Sequence, residues 1–286
     1  MVKIIDIYSG NEWWNPYNAV AEGYSGVIFK AGQGTWPDVP RVKKEWFSEA
    51  RAAGLKVGWY WLVDSRYKAS AQVKACREAT GDDYGELGLW ADCEKPVLAW
   101  KESVYWKSAY PGLANIVDFI YLFEKQLGIR VGVYTSPGFW KTVTQRPNQA
   151  HIDYLSKSKL WTAQYPWVYV DGISKPTMYG KWDKWTFWQH RERPDVNKYN
   201  GTWDEFDTEF SGDTVVIQPP VVNEDYRYVS ARAGLILRDS PAGARIKALK
   251  YNTRVRVIDT MDGWCKIDQA DGVTESGWLS EQYLRS

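Results

Sequence analysis

The segment 86–94, ELGLWADCE, runs through Leu87, Leu89, Trp90 and Ala91 and ends in two carboxylates, Asp92 and Glu94, with Cys93 between them. On a β-strand, residues two apart project to the same side, so Asp92 and Glu94 would point together while Cys93 points away. Other apolar runs end in comparable groups: Asp6 after KII, Gln33 after VIFKAG, Tyr60 after LKVGW, Tyr134 after RVGV, and Asp207 within EFDTEF. Several acids gathered in one pocket cannot all ionise cheaply, so one of them should keep its proton near neutral pH. A protonated carboxyl beside ionised ones is equipment for breaking a glycosidic bond: the acid protonates the leaving oxygen and an anion steadies the positive charge growing on the sugar. His190 and Cys93 read as structural. His151 and His190 are the only histidines, and neither stands in a nucleophile-elbow motif.

These acids need strands to hold them. Seven short apolar segments, rich in β-branched and aromatic residues, read as buried parallel strands: 3–9, 26–32, 55–62, 87–94, 130–136, 160–165 and 186–190. An eighth, EFDTEF at 205–210, would close the series. Helix patterns lie between them. Ile116, Phe119, Ile120, Phe123 and Leu127 share one stripe before Gly128, and Val42, Trp46, Ala50 and Ala53 share another before Gly54. Alternation of strand and helix means parallel strands joined by crossovers, and about eight such strands close naturally into a barrel. Chemistry then belongs at the C-terminal strand ends, where Asp92 and Glu94 lie. The helix signals weaken in the second half, which predicts irregular connections there.

Composition narrows the partners. The chain has 36 Lys plus Arg against 35 Asp plus Glu, so no basic surplus points to nucleic acid. With 18 Trp and 19 Tyr but only 8 Phe, it favours rings with a polar tip, which suit half-wet surfaces such as sugar grooves. Three cysteines without short spacing indicate neither a disulfide framework nor a zinc site, and no metal or other cofactor is expected. No run is long enough to span a membrane, and the chain opens directly on a strand pattern rather than a signal peptide.

In this order and spacing the segments resemble glycoside hydrolase family 25, the Chalaropsis-type muramidases common among phage endolysins. DIYSG is similar to the family's D-[IV]-S opening, VIFKAGQGT to V-I-x-K-A-T-E-G-T, and ARAAGLKVGWYWL to A-R-x-A-G-L-x-V-G-x-Y-H-F. LGLWADCE resembles L-P-L-x-L-D-V-E, GIRVGVYTS resembles G-x-R-P-G-I-Y-T, and LWTAQY and FWQH stand where the family has L-W-x-A-x-Y and W-Q-Y. The resemblance implies an α/β fold, a modified TIM-type (β/α) barrel with fewer than eight regular helices. It also implies cleavage of the β-1,4 bond between N-acetylmuramic acid and N-acetylglucosamine. By position, Glu94 would be the general acid. Asp92 would steady the substrate's acetamido group as it attacks the anomeric carbon, or stabilise the cation directly. Asp6 and Asp207 would complete the acidic floor, with Gln33, Tyr60, Tyr134 and Gln189 contacting substrate. The chain departs from the family pattern at Gln33, which replaces a Glu and should change the acid's pKa or the substrate preference, and at Trp61, which replaces a His.

Near residue 211 the character changes, and Pro219-Pro220 favours an extended spacer. From Tyr226 onward, short alternating runs separated by turn residues predict a small all-β unit. There GLILRDSPA, GWCKID and SGWLSEQYL resemble a bacterial SH3-like domain. The expected organisation is therefore a catalytic barrel over 1–213, a linker over 214–225 and an SH3-like wall-binding barrel over 226–286. The expected partner is bacterial peptidoglycan, with the glycan strand in the barrel and a wall component on the SH3-like domain, and the expected state is a monomer. Without a signal peptide, the chain would be a phage endolysin made in the host cytoplasm or a processed secreted enzyme acting on the cell wall. Two rivals stand beside this reading. A chitinase-like glycosidase also ends a strand in D-x-E but usually carries a longer acidic series. A non-catalytic wall-binding protein would have no need of so many mutually repelling acids.

Overall fold

The structure is a computed structural model that describes residues 2–38, 45–94, 112–145, 148–192, 194–210, 225–271 and 276–285. The chain divides into two compact units, the larger comprising residues 1–111 and 116–220 and the smaller residues 112–115 and 221–286. The proposed linker at 214–225 lies almost wholly outside the described residues, as does Val42 of the second helix stripe.

The larger unit follows the order β1 (Lys3–Ile7), α1 (Pro16–Ala21), β2 (Gly26–Gln33), β3 (Trp36–Pro37), α2 (Phe47–Ala52), β4 (Lys56–Leu62), α3 (Ala69–Thr80) and β5 (Gly88–Asp92). It continues with α4 (Leu113–Leu127), β6 (Gly132–Thr135), α5 (Pro137–Val143), α6 (Gln149–Leu155), β7 (Leu160–Ala163), β8 (Phe187–Arg191), β9 (Val196–Tyr199) and α7 (Trp203–Glu209). Strands β1, β2, β4, β5, β6, β7 and β8 pair in parallel in that sequence. The eighth, β9, runs antiparallel to both β8 and β1 and closes the barrel.

Closure by β9 corrects the expectation of a strand at 205–210. That segment is helix α7. Thr202 accepts from the Glu205 N–H (3.2 Å) and the Glu205 carboxylate accepts from the Thr202 N–H (2.6 Å), a capping box that starts a helix. Phe206 and Phe210, four apart and both buried, fall on one helical face, and Phe210 stacks on Phe187 with centroids 5.5 Å apart. The alternation in EFDTEF was compatible with a strand, but the cap and this spacing favour the helix.

Burial on both faces explains why the strands read as apolar runs. Outside the barrel, Phe47 of α2 stacks flat on Trp59 of β4, with ring centroids 4.3 Å apart. Within α4, Ile116, Phe119, Ile120 and Phe123 are fully buried, and Gly128 ends the helix at φ +68° with its N–H on the Glu124 carbonyl at 2.7 Å. The barrel interior is filled by Ile4, Ile28, Trp90, Trp161, Phe187 and Tyr199 among others. Trp90 stands opposite Gly132, where a Cβ would come within 2.3 Å of the indole, so the glycine makes room for a ring inside the barrel. Residues 164–186 join β7 to β8 without helix or strand, in line with the weak helix signal there.

The smaller unit contains β10 (Asp225–Val229), β11 (Leu235–Arg238), β12 (Arg245–Leu249), β13 (Arg254–Met261), β14 (Trp264–Ala270), β15 (Gly277–Ser280) and β16 (Leu284–Arg285). All its pairings are antiparallel, in the order β12-β11-β15-β14-β13-β10-β16. They enclose a core that includes Val229, Leu237, Leu249, Val255, Cys265, Ile267 and Leu279. No helix among the described residues is long and apolar enough to cross a membrane.

Candidate active site

The strand pleat turns Ile4 and Asp6 of β1, Trp90 and Asp92 of β5, Trp161 and Ala163 of β7, and Phe187 and Gln189 of β8 to the barrel interior. On β1, β5 and β8 the apolar residue lies deeper and the polar one nearer the C-terminal end. The polar ends line a cavity of about 950 Å³, whose walls include Asp6, Lys30, Tyr60, Asp92, Glu94, Tyr134, Gln189 and Asp195. Trp161 forms part of the apolar floor, edge-on to Tyr134 at 4.6 Å and to Trp90 at 5.8 Å. Tyr8, Trp13 and Tyr165 stand at the mouth, each roughly half exposed.

The end of β5 is fixed from both sides. Its neighbour toward β4, Val63, donates its N–H to the Asp92 carbonyl (3.0 Å), and Cys93 donates to the Tyr134 carbonyl (2.8 Å). The strand path therefore continues past Asp92. Glu94 comes round to the cavity while Cys93 is buried away from it, as the D-x-E spacing requires.

Asp6 is held by two amides. Asn197 of β9 donates to Asp6 Oδ2 at 2.8 Å, and Gln189 donates to the same oxygen at 2.9 Å. Each amide is oriented from behind. The indole N–H of Trp161 donates to Asn197 Oδ1 at 2.7 Å, which turns the NH₂ end toward Asp6. The hydroxyls of Tyr134 (2.8 Å) and Tyr165 (2.6 Å) donate to Gln189 Oε1 with the same result. The Asp6 N–H reaches the Asp195 carbonyl at 3.4 Å, tying the end of β1 to the residue before β9.

All four acids are raised, each first by burial. Burial pushes the Glu94 carboxyl up to about 7; Lys30 opposes this, and the charges of Asp195 and Glu192 add to it. Burial and then Glu192 bring Asp195 to about 6. Asp92 lies well above the usual carboxylate range, chiefly through burial and then through Glu94, with Lys30 working against both. Asp6 is also raised by burial and by Asp195, against the two amide hydrogen bonds. Oδ1 of Asp92 is buried without a hydrogen-bond partner, leaving an acceptor in the wall unused. Near neutral pH Glu94 is thus poised between its protonated and ionised forms, among carboxyls that burial likewise biases toward protonation.

Of the expected residues, Asp6, Asp92, Glu94, Tyr60, Tyr134 and Gln189 meet in this cavity. Asp207 does not. It sits on α7, more than half exposed, paired at 2.7 Å with Lys56 at the N-terminal end of β4, which is the opposite end of the barrel. Gln33 does not line the cavity either. It lies past a register shift in β2, opposite Leu62 and in the turn to β3, and Lys30 takes the place in the wall. Reading the sequence missed Asp195, Lys30 and Asn197. Lys30 is two residues past the inward Ile28, and Asn197 is two before the inward Tyr199, so strand parity carried the signal for both. Asp195 follows Pro194 at the start of a strand too short to stand out.

The model for glycosyl hydrolases family 25 matches residues 5–199, and that for the bacterial SH3 domain matches residues 233–285. The autolytic lysozyme of Clostridium acetobutylicum is 31% identical over 237 residues, 78% of this chain. The chain spans 62% of that relative's length. Among solved structures, the muramidase from Trichobolus zukalii has a TM-score of 0.59 at 21% identity, over 74% of this chain and 100% of that one. A bacterial lysozyme from Streptomyces coelicolor has 0.57 at 21%, over 72% and 94%. At these identities the two structures establish likeness of fold.

Proposed function

The chain belongs to glycosyl hydrolase family 25, and from that premise we propose that it is a peptidoglycan hydrolase cleaving the β-1,4 bond between N-acetylmuramic acid and N-acetylglucosamine. The observation that carries the reading is Glu94, a carboxyl held up to about 7 at the mouth of a cavity walled by Asp6, Asp92 and Asp195. A group of that pKa is protonated often enough at neutral pH to give its proton, yet acidic enough to give it readily.

In the proposed mechanism Glu94 protonates the glycosidic oxygen as the bond to the anomeric carbon breaks. Asp92 accepts the N–H of the substrate's acetamido group through its unused Oδ1, so that the acetamido oxygen closes on the anomeric carbon. Water then opens that ring, with Glu94 taking the proton back. Asp6, fixed by Gln189 and Asn197, and Asp195 set carboxyl oxygens where the sugar becomes positive. The aromatic rings at the mouth offer apolar faces to neighbouring sugars. The SH3-like unit holds the enzyme on the wall and raises its effective concentration at an insoluble substrate, and the chain acts as a monomer.

The test is release of reducing sugar from purified peptidoglycan by the native chain and by Glu94→Gln. The native chain should release it and the variant should not. Undiminished release by the variant would remove Glu94 as the acid.

A further inference from the structure

The barrel carries a second cavity, of about 520 Å³, on its outer side. Its wall includes His190 and Val196, which alternate with the inward Gln189 and Asn197 and so face out from β8 and β9. The segment joining β7 to β8 folds over these strands. Tyr169 stacks flat on His190, with centroids 4.0 Å apart and planes within 7°. Beside them Trp167 is fully exposed, at 105% of its reference area, and Val168 and Ile173 are about three-quarters exposed. An indole wholly exposed on the wall of a formed cavity presents a flat apolar face to solvent.

Two cations complete the wall, Lys3 and Arg191. The Lys3 ammonium rests on the Glu22 carbonyl at 3.1 Å and over the Tyr24 ring at 3.9 Å, close enough to feel both the negative charge of Glu22 and the positive charge of Arg191. Arg191 lines both this cavity and the acidic one, so the two are neighbours along one surface. Aromatic faces beside two cations suit a sugar polymer that bears carboxylates, and are a poor match for a neutral apolar peptide.

We propose that this outer cavity is a second glycan site, which takes a further stretch of the same carboxylate-bearing wall polymer whose scissile bond lies over the acids. A sugar ring lies on Trp167, and a lactyl or stem-peptide carboxylate of the polymer meets Lys3 and Arg191. The inference rests on the reading of the acidic cavity as a peptidoglycan site. It adds that the enzyme grips long strands at two places on the barrel and so favours polymer over short fragments.

The experiment uses the full chain carrying Glu94→Gln, so that ligand is not consumed, and calorimetric titration with two soluble peptide-bearing glycan fragments, one of four sugars and one of about ten. The longer fragment should bind about tenfold more tightly than the shorter. Adding Trp167→Ala, which touches a fully exposed side chain, should remove most of that advantage while the shorter fragment binds as before. Lys3→Gln should lower the longer fragment's affinity and reduce its salt dependence. The SH3-like unit is the same in every variant, so its own contribution cancels. If Trp167→Ala leaves both affinities untouched, or lowers both equally, the second site is wrong and the acidic cavity's assignment stands. If neither fragment binds even with Trp167 present, the peptidoglycan reading fails and the second site fails with it. A dimer in sedimentation that Trp167→Ala dissolves would also overturn the proposal, because the cavity would then be a contact between copies of the chain.

Discussion

Replacing Glu94 by Gln should make the barrel more stable above neutral pH while it silences the enzyme. The folded chain holds this carboxyl at about 7, against 4.5 for an ordinary glutamate. Between those two values the folded state binds more protons than the unfolded state, so stability is fullest below about pH 4.5 and declines as pH rises through about 7. At about 1.4 kcal/mol per pH unit, the gap amounts to about 3 kcal/mol lost by pH 7.5. A glutamine has the shape of the protonated acid and never ionises, so the variant keeps what the native chain gives up. For a unit of this size each kcal/mol moves the midpoint by about 2–4 °C, which places the barrel transition of Glu94→Gln about 6–12 °C higher at pH 7.5. At pH 4 both side chains are neutral and the midpoints should coincide. Calorimetry at pH 4, 5.5 and 7.5 measures this, with the smaller unit's transition assigned separately because two units need not melt together. Equal midpoints at all three values, or a less stable variant at pH 7.5, would refute the claim that Glu94 is held protonated against its preference.

The other predictions concern catalysis. Turnover should fall as pH rises through about 7, when Glu94 loses its proton; Lys30→Met, which removes an opposing cation, should move that limb upward, and Glu192→Gln should move it downward. Gln189→Met removes a donor from Asp6 and leaves two tyrosine hydroxyls without their acceptor, so kcat on purified walls should drop about 10–100-fold, the cost of leaving buried polar groups unpaired. A loss under threefold would show that the amide clamp is not needed. Asp195→Asn should impair turnover and lower the alkaline limb, whereas Asp207→Asn should leave turnover intact and cost at most about 1 kcal/mol, because Asp207 is itself exposed and its pair with Lys56 is remote from the cavity.

Much of this site could be read before any coordinates. The D-x-E spacing at 92–94 survives because an apolar strand pinned on both sides fixes its pleat, and that constraint is local. Asp6, Tyr60, Tyr134 and Gln189 follow the same parity on their own strands. The failures came where long-range pairing decides the geometry. Lys30 follows the parity of Ile28 and was overlooked, whereas Gln33 lies beyond a register shift in β2, and a bulge is a property of two paired strands rather than of one segment. The closing strand is only four residues, VNKY, with two polar side chains, and its antiparallel course depends on β1 and β8 lying ready to receive it. Missing β9 concealed Asp195 and Asn197 and put Asp207 in their place. The helix at 203–209 was legible, since the T-x-x-E cap at 202–205 and the Phe206/Phe210 spacing both state it.

The central claim is that the four-acid cavity cleaves the bond on the muramic acid side of the glycan. Mass spectrometry of purified peptidoglycan digested by the full chain, after borohydride reduction, identifies the sugar at each new reducing end. The account predicts reduced N-acetylmuramic acid there. Reduced N-acetylglucosamine, or free stem peptides with the glycan strands intact, would contradict it.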